Sequence, residues 1–166
     1  MTDSHQKRLI IDLQTCDQCK SCGVSCGYFD RPHKGENGLS SLRLRATFAV
    51  ICRRCVSASC IDACAFDALG RGEGGIVQHY NLRCVSCKMC AFACPFGTIY
   101  TDMLPFYEVN CDSCLGHNDA KPPCVDSCRH GALEYRLVDA SETDVHTIDQ
   151  YLAARAERWV KQEVAS

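Results

Sequence analysis

No stretch of this sequence approaches the roughly 20 apolar residues that a membrane-spanning helix needs, so no membrane span is expected. The opening residues 1–13 hold an apolar run too short for a secretory signal, and no twin arginine precedes it. A cytoplasmic, reducing setting is the expectation. Glycine patterns that cradle dinucleotides or phosphates are missing too; residues 70–75 are rich in glycine but stand in the wrong context for either. Nothing suggests bond-making chemistry, so no catalytic residue is assigned. Basic stripes are short. The densest is Arg43, Arg45, Arg53 and Arg54, in a chain of net charge −2. It reads as a solvated face or as a docking patch for an acidic partner, and nucleic acid is not an expected partner. Tryptophan occurs once, at Trp159.

The abundant residue is cysteine: it supplies 16 of 166 positions and inflates an apolar share of 46%. Setting cysteine aside leaves material for only a small core, so something other than a core must hold the fold. The cysteines fall into four groups with none left over. They are Cys16, Cys19, Cys22, Cys26; Cys52, Cys55, Cys60, Cys64; Cys84, Cys87, Cys90, Cys94; and Cys111, Cys114, Cys124, Cys128. The first and third read C-x2-C-x2-C-x3-C, the spacing that holds cubic [4Fe–4S] clusters in bacterial ferredoxins. The others keep the leading C-x2-C and closing C-x3-C and stretch the middle. Four ligands per cluster imply four clusters, and with them the holoprotein charge is about −10. Zinc is the alternative, since paired C-x2-C motifs also make zinc sites. Zinc, however, has no need for three cysteines within seven residues, as at Cys16–Cys22 and Cys84–Cys90.

Around these groups the chain repeats. After Cys64, Cys94 and Cys128 come short turns containing Asp67, Gly97 and Gly131, each leading toward an aliphatic residue and a short strand. Apolar stretches at residues 9–15, 76–83 and 105–110 precede Cys16, Cys84 and Cys111 and also read as strands. Residues 70–75 read as a hairpin turn. Cys26 runs instead into a polar loop, so the strand near 9–13 has no local partner, and neither has the one near 131–136. Pairing the two nests one unit inside another, although sequential pairing is not excluded by the spacings alone. The expected organisation is an outer unit, residues 1–51 with 104–140, and an inner unit, residues 52–103.

Crossed ligation, in which the closing cysteine starts a helix facing away and reaches a different cluster, follows for this pairing. The expected sets are Cys16, Cys19, Cys22 with Cys128; Cys52, Cys55, Cys60 with Cys94; Cys84, Cys87, Cys90 with Cys64; and Cys111, Cys114, Cys124 with Cys26. Val24, Ile61, Phe66, Phe92, Phe96 and Val125 are expected to shield clusters from water. His33, His79, His117 and His130 read as surface or hydrogen-bonding residues rather than ligands. His117 and His130 stand near the fourth group and could tune it through a bond to sulfur.

Residues 141–166 differ in pattern. Ser141 and its acidic neighbours can cap a helix. Val145, Ile148, Leu152, Ala156 and Trp159 then recur at helical spacing. The expectation is an amphipathic C-terminal helix, docking on another subunit or packing at home. A second copy of this chain is one candidate surface, and non-closing contacts would then build a filament.

The full cysteine pattern, with Pro95 following Cys94, resembles the four-cluster iron–sulfur subunits of molybdenum and tungsten oxidoreductases. Their relatives serve dimethyl sulfoxide reductase, formate dehydrogenase and hydrogenlyase, carbon monoxide dehydrogenase and tungsten aldehyde oxidoreductases. The resemblance covers roughly residues 9–136, and it departs where Gly27, Ala65 and Arg129 replace the proline after the other closing cysteines. It implies an α+β fold of two nested bacterial-ferredoxin-like units, short antiparallel hairpins and short helices around clusters, with crossed ligation. It also implies a non-catalytic subunit that relays electrons between a catalytic subunit and a second redox partner. A free-standing polyferredoxin is the alternative.

Overall fold

A computed structural model describes residues 6–19, 22–25, 38–72, 75–100, 114, 120–139 and 141–157. Its organising element is β1 (Arg8–Asp12), whose Leu9, Ile10 and Ile11 are each at most 1% exposed. A strand buried on both faces reads as a continuous apolar run rather than an alternating one. On one edge β1 pairs antiparallel with β4 (Leu133–Arg136), with Leu9 opposite Tyr135 and Ile11 opposite Leu133. The expected pairing between the start of the chain and the strand after its last cysteine group is therefore present.

The other edge of β1 carries a correction. In place of the expected C-terminal helix, the chain forms β5 (Val145–Thr147) and β6 (Leu152–Arg155). β6 lies parallel to β1 and antiparallel to β5, giving a sheet of order β4-β1-β6-β5. Val145, Ile148 and Leu152 are buried, as a helical stripe would require, but so are Ala153 and Ala154, each at 0% exposure. A helix would turn those two alanines away from the stripe. A strand inserted between β1 and β5 buries both of its faces, and the small alanines fit there. Asp149 makes the reversal between β5 and β6: its Oδ1 accepts from the backbone N–H groups of Tyr151 at 2.7 Å and Leu152 at 2.9 Å. The Leu9 N–H then donates to the Tyr151 carbonyl at 2.8 Å, binding the turn to β1. Residues 141–157 thus complete the outer sheet, so residues 145–155 pack at home rather than as a helix. Trp159 lies outside the described residues.

Ion pairs lace the surface of this sheet. Arg136 grips Glu142 with two parallel bonds of 2.7 Å. Arg155 on β6 reaches over β1 to Glu134 on β4 at 2.7 Å. Arg136, hydrogen-bonded to Glu142, and then the Asp139 N–H hold the Glu142 carboxyl down to about 2.

The sequence gives little sign of α2 (Gly38–Ile51), which follows α1 (Leu13–Asp17). Its buried Leu39, Leu42, Ala46 and Ala49 recur every three or four residues and pack with Leu9, Ile11, Leu152 and Ala154. Two of those positions are alanines, and Arg43 and Arg45 lie among them, so the stripe is weak as a sequence signal. The arginines are partly engaged within the chain: Arg43 pairs with Asp17, and Arg45 pairs with Asp149 at 2.6 Å.

The inner half is smaller. Here α3 (Ser59–Asp62), the hairpin β2 (Leu69–Arg71) and β3 (Val77–His79), and α4 (Met89–Ala93) surround a core of Leu69, Val77, Cys90 and Ile99. The expected hairpin turn lies between β2 and β3, closed by the Gly72 N–H donating to the Ile76 carbonyl at 2.8 Å. α5 (Pro123–Ser127) precedes β4. The expected strand at 105–110 lies outside the described residues. Leu152→Ala should lower the stability of the chain by about 2–5 kcal/mol, because it empties a fully buried site between β1 and α2. Chemical denaturation of cluster-loaded protein under anaerobic conditions measures this; a surface docking segment would give almost no change.

Candidate iron–sulfur sites

The three closing cysteines among the described residues, Cys64, Cys94 and Cys128, are placed by one local device. Cys94 and Cys128 cap the C-terminal ends of α4 and α5, and Cys64 follows α3 by one residue. Cys64, Cys94 and Cys128 therefore stand at the ends of short helices; for these three the expectation that closing cysteines start a helix is corrected. Three residues on, the backbone turns into positive φ: 49° at Asp67, 61° at Gly97 and 64° at Gly131. At all three the N–H donates back to the cysteine carbonyl, at 3.4, 3.2 and 3.2 Å. The repeated turn swings the chain toward buried Leu69, Ile99 and Leu133. Asp serves once because its short polar side chain tolerates the left-handed region.

Strand pairing then decides which thiols meet. Ile11 lies five residues before Cys16, and its partner Leu133 lies five residues after Cys128. Cys16, buried on α1, meets Cys19, Cys22 and Cys128 around a cavity of about 900 Å³. α1 is capped by Asp12, whose carboxylate accepts from the N–H and hydroxyl of Thr15, both at 3.0 Å. The Ser25 N–H donates to the Ser127 hydroxyl at 2.8 Å, tying the loop after Cys22 to α5.

The inner hairpin repeats the arrangement. Leu69, five residues after Cys64, faces His79, five residues before Cys84. Cys64, Cys84, Cys87 and Cys90 line a common cavity. Ser86 and Lys88 adopt positive φ of 57° and 65° as this loop wraps. The Ala68 N–H points at the Cys64 Sγ at 3.3 Å, and the Ser86 N–H at the Cys84 Sγ at 3.4 Å. On the other side of the inner half, Cys52, Cys60 and Cys94 are close enough for their charges to interact. Thr98 Oγ1 lies 3.3 Å from the Cys94 Sγ. The Cys55 thiol is not brought into that group by any contact described; its carbonyl accepts from Arg71 Nη2 at 2.6 Å. Of the fourth expected set, Cys124 packs at the edge of the outer core, while Cys26 and Cys111 lie outside the described residues.

Burial pushes the Cys16, Cys60 and Cys90 thiols above their ordinary range. Burial pulls the same way at Cys94, but hydrogen bonds from Thr98 and nearby backbone N–H groups outweigh it and lower that thiol. Soft thiolates with N–H and O–H donors aimed at sulfur are the donor set that iron–sulfur clusters use. Among the described residues no three His, Cys, Asp or Glu side chains could hold a single metal ion. The cavity of Cys16, Cys19, Cys22 and Cys128, about 900 Å³, has room for a multi-atom cluster.

Several side chains behave otherwise than the sequence suggests. Val125 is buried and Val24 and Ile61 pack on the cores, but Phe66, Phe92 and Phe96 are 48%, 79% and 57% exposed. Phe66 nevertheless lines the cavity of Cys64, Cys84, Cys87 and Cys90, and the Arg53 guanidinium lies 5.9 Å from the Phe96 ring. His130 borders the cavity of Cys16 and Cys128, whereas His117 lies outside the described residues. The histidine that cysteine spacing does not single out is His79, which lines the cavity of Cys64, Cys84, Cys87 and Cys90. Strand alternation is the available signal: Val77 is buried and Gln78 exposed, which puts His79 on the inner face.

The 4Fe-4S dicluster domain matches residues 45–137, a span containing the second, third and fourth cysteine groups. YsaA of Escherichia coli (strain K12), named as a candidate electron transport protein, is 30% identical over 154 residues, covering 86% of this chain and 96% of its own length. The thiosulfate reductase electron transfer subunit PhsB of Salmonella typhi is 30% identical over 156 residues, covering 84% of this chain and 80% of its own. A tetrathionate reductase subunit of Salmonella typhimurium is 29% identical over 141 residues, covering 77% of this chain and 56% of its own. Among the described residues no helix is long and apolar enough to cross a membrane.

The turn geometry is testable. Among the described residues no atom lies within 4 Å of where a Cβ would sit on Gly97 or Gly131, so the cost of Gly→Ala is conformational alone. Gly97→Ala should lower stability by about 1–2 kcal/mol, read as earlier loss of visible absorbance in an anaerobic guanidinium titration.

Proposed function

The chain belongs to the 4Fe-4S dicluster domain family, and on that premise we propose that it is the electron-transfer subunit of a molybdenum- or tungsten-type reductase complex. It carries four [4Fe–4S] clusters and relays electrons between a catalytic subunit and a second redox partner. The observation that carries this reading is the meeting of thiols from cysteine groups distant in sequence. Cys128 stands with Cys16, Cys19 and Cys22, and Cys64 stands with Cys84, Cys87 and Cys90. A chain built to cross-link its groups through shared cavities is suited to carrying several centres close together. The names of PhsB and of the tetrathionate reductase relative support the assignment to a reductase complex.

In this reading two nested ferredoxin-like units hold the clusters. The ligand sets are Cys16, Cys19, Cys22, Cys128; Cys52, Cys55, Cys60, Cys94; Cys84, Cys87, Cys90, Cys64; and Cys111, Cys114, Cys124, Cys26. When bound, each cluster supplies a site that accepts and returns one electron. The protein supplies the rest. Its thiols must lose their protons on loading, most of all the buried Cys16, Cys60 and Cys90. The N–H groups of Ala68 and Ser86 and the Thr98 hydroxyl offset negative charge at sulfur. Arg43, beside the cavity of Cys16, opposes the rise in that thiol's proton affinity. A freely diffusing polyferredoxin is the second reading. What favours it is that residues 145–155 are used inside the sheet, so they offer no apolar helical face for a partner.

Anaerobically purified protein should contain about sixteen iron and sixteen sulfide per chain. Co-purification of a catalytic subunit supports the subunit reading, and recovery of the chain alone supports the carrier. Cys128→Ser should alter the same cluster signal as Cys16→Ser in electron paramagnetic resonance. A Cys128→Ser effect confined to the site of Cys111, Cys114 and Cys124 would show the crossed assignment to be wrong.

A further inference from the structure

The two hairpins of this chain are built on one plan, and they differ at one telling position. The residue five before the first cysteine of its group faces the residue five after a closing cysteine. In the outer pair that position is Ile11, fully buried in the apolar core. In the inner pair it is His79. An imidazole occupies a place that packing alone fills with an aliphatic side chain.

The ring is held from one side. Asn81 hydrogen-bonds it, while Nε2 is the one buried side-chain polar atom among the described residues that has no partner. The Asn81 bond therefore falls on Nδ1. An amide side chain can offer either its oxygen or its N–H there, so the other end of the ring decides the tautomer. His79 lines a cavity of thiols, and an electron-rich sulfur meeting the unpartnered Nε2 favours a proton there over a lone pair. As placed, the Asn81 bond favours the protonated ring, so its amide oxygen accepts from the ring N–H; turning the amide over presents its N–H to Nδ1 instead and leaves the ring proton on Nε2. The backbone fixes the strand that carries the ring: the Tyr80 N–H donates to the Ala68 carbonyl at 2.8 Å, and the Ala68 N–H points at the Cys64 Sγ. His79 lines the cavity that Cys64, Cys84, Cys87 and Cys90 surround. A buried donor without an acceptor costs free energy unless something absent from the protein part accepts from it.

We propose that His79 donates a hydrogen bond from Nε2–H to a sulfur of the cluster held by Cys64, Cys84, Cys87 and Cys90, and thereby raises the reduction potential of that cluster alone. This rests on the cluster reading given above. Reduction adds one electron, and the added charge spreads onto sulfur, so a donor at sulfur stabilises the reduced form more than the oxidised one. The proton stays on Nε2 in both states. The corresponding Ile11 offers no donor to the cluster of the outer hairpin, so two sites of like backbone acquire different potentials.

The test compares wild type, His79→Leu and His79→Gln, each cluster-loaded and assayed first for iron. Redox titration followed by electron paramagnetic resonance should show one cluster shifted to a more negative potential in His79→Leu. The others should be unmoved, and His79→Gln, which keeps an N–H donor, should recover part of the shift. Unchanged potentials with full iron would overturn the role of His79. Loss of one cluster's iron in both variants would also overturn it, making the ring a ligand or a structural element. Wild-type protein with no iron at this site would instead overturn the cluster reading itself. A measurement independent of these variants' stability uses wild-type chain labelled with 15N-histidine. The reduced protein should show a weak nitrogen hyperfine coupling of hydrogen-bonded, not ligated, size, and its absence would refute the proposal.

Discussion

The outer half of the molecule depends on β1 being paired along both of its edges. β4 takes one edge antiparallel and β6 takes the other parallel. A central strand with two apolar faces cannot leave an edge open without exposing backbone groups beside a buried core. That requirement drew the C-terminal segment into the sheet. It also placed Cys16 beside Cys128 across more than a hundred residues, because both thiols sit the same short distance from paired residues. Core formation and thiol placement are here one event, so damage to β1 would be felt at the cavity of Cys16 even though no ligand had changed.

The inner hairpin achieves the same result with less material. Its strands have three residues each, and its buried core is Leu69, Val77, Cys90 and Ile99. Cys90 in this core and Cys60 packed against it have thiols pushed up by burial. Such a core is small for independent stability. Bound clusters would supply the missing cross-links, since binding free energy at sites absent from the unfolded chain counts as folding free energy.

Much of this was legible in the cysteine spacing and the turn chemistry. The grouping of thiols, the hairpin around residues 70–75 and the turns at Asp67, Gly97 and Gly131 have local signals, and the pairing of β1 with β4 was inferred from two strands that lack local partners. The C-terminal hairpin had an ambiguous one. Val145, Ile148 and Leu152 suit a helical stripe as well as two strands, and only the vacant edge of β1, a tertiary fact, decides between them. α2 was hidden by alanines at two core positions and by arginines beside them. The exposed Phe66, Phe92 and Phe96 show a different limit: nearness to a cysteine in sequence does not say how far a ring will be buried.

A repeated backbone has a consequence for electron transfer. If every site were copied with its surroundings, the clusters would share one potential and no step along the chain would be favoured over another. The structure varies the surroundings while keeping the frame. Cys94 receives the Thr98 hydroxyl, whereas the equivalent position after Cys64 is Ala68, which offers only its backbone N–H. Arg43 stands near Cys16, and His79 stands near Cys64 and Cys84 where the outer repeat has Ile11. These are single side chains on a scaffold whose turns and strand registers match. Differences of potential can therefore be set one residue at a time, without disturbing the pairing that brings the thiols together.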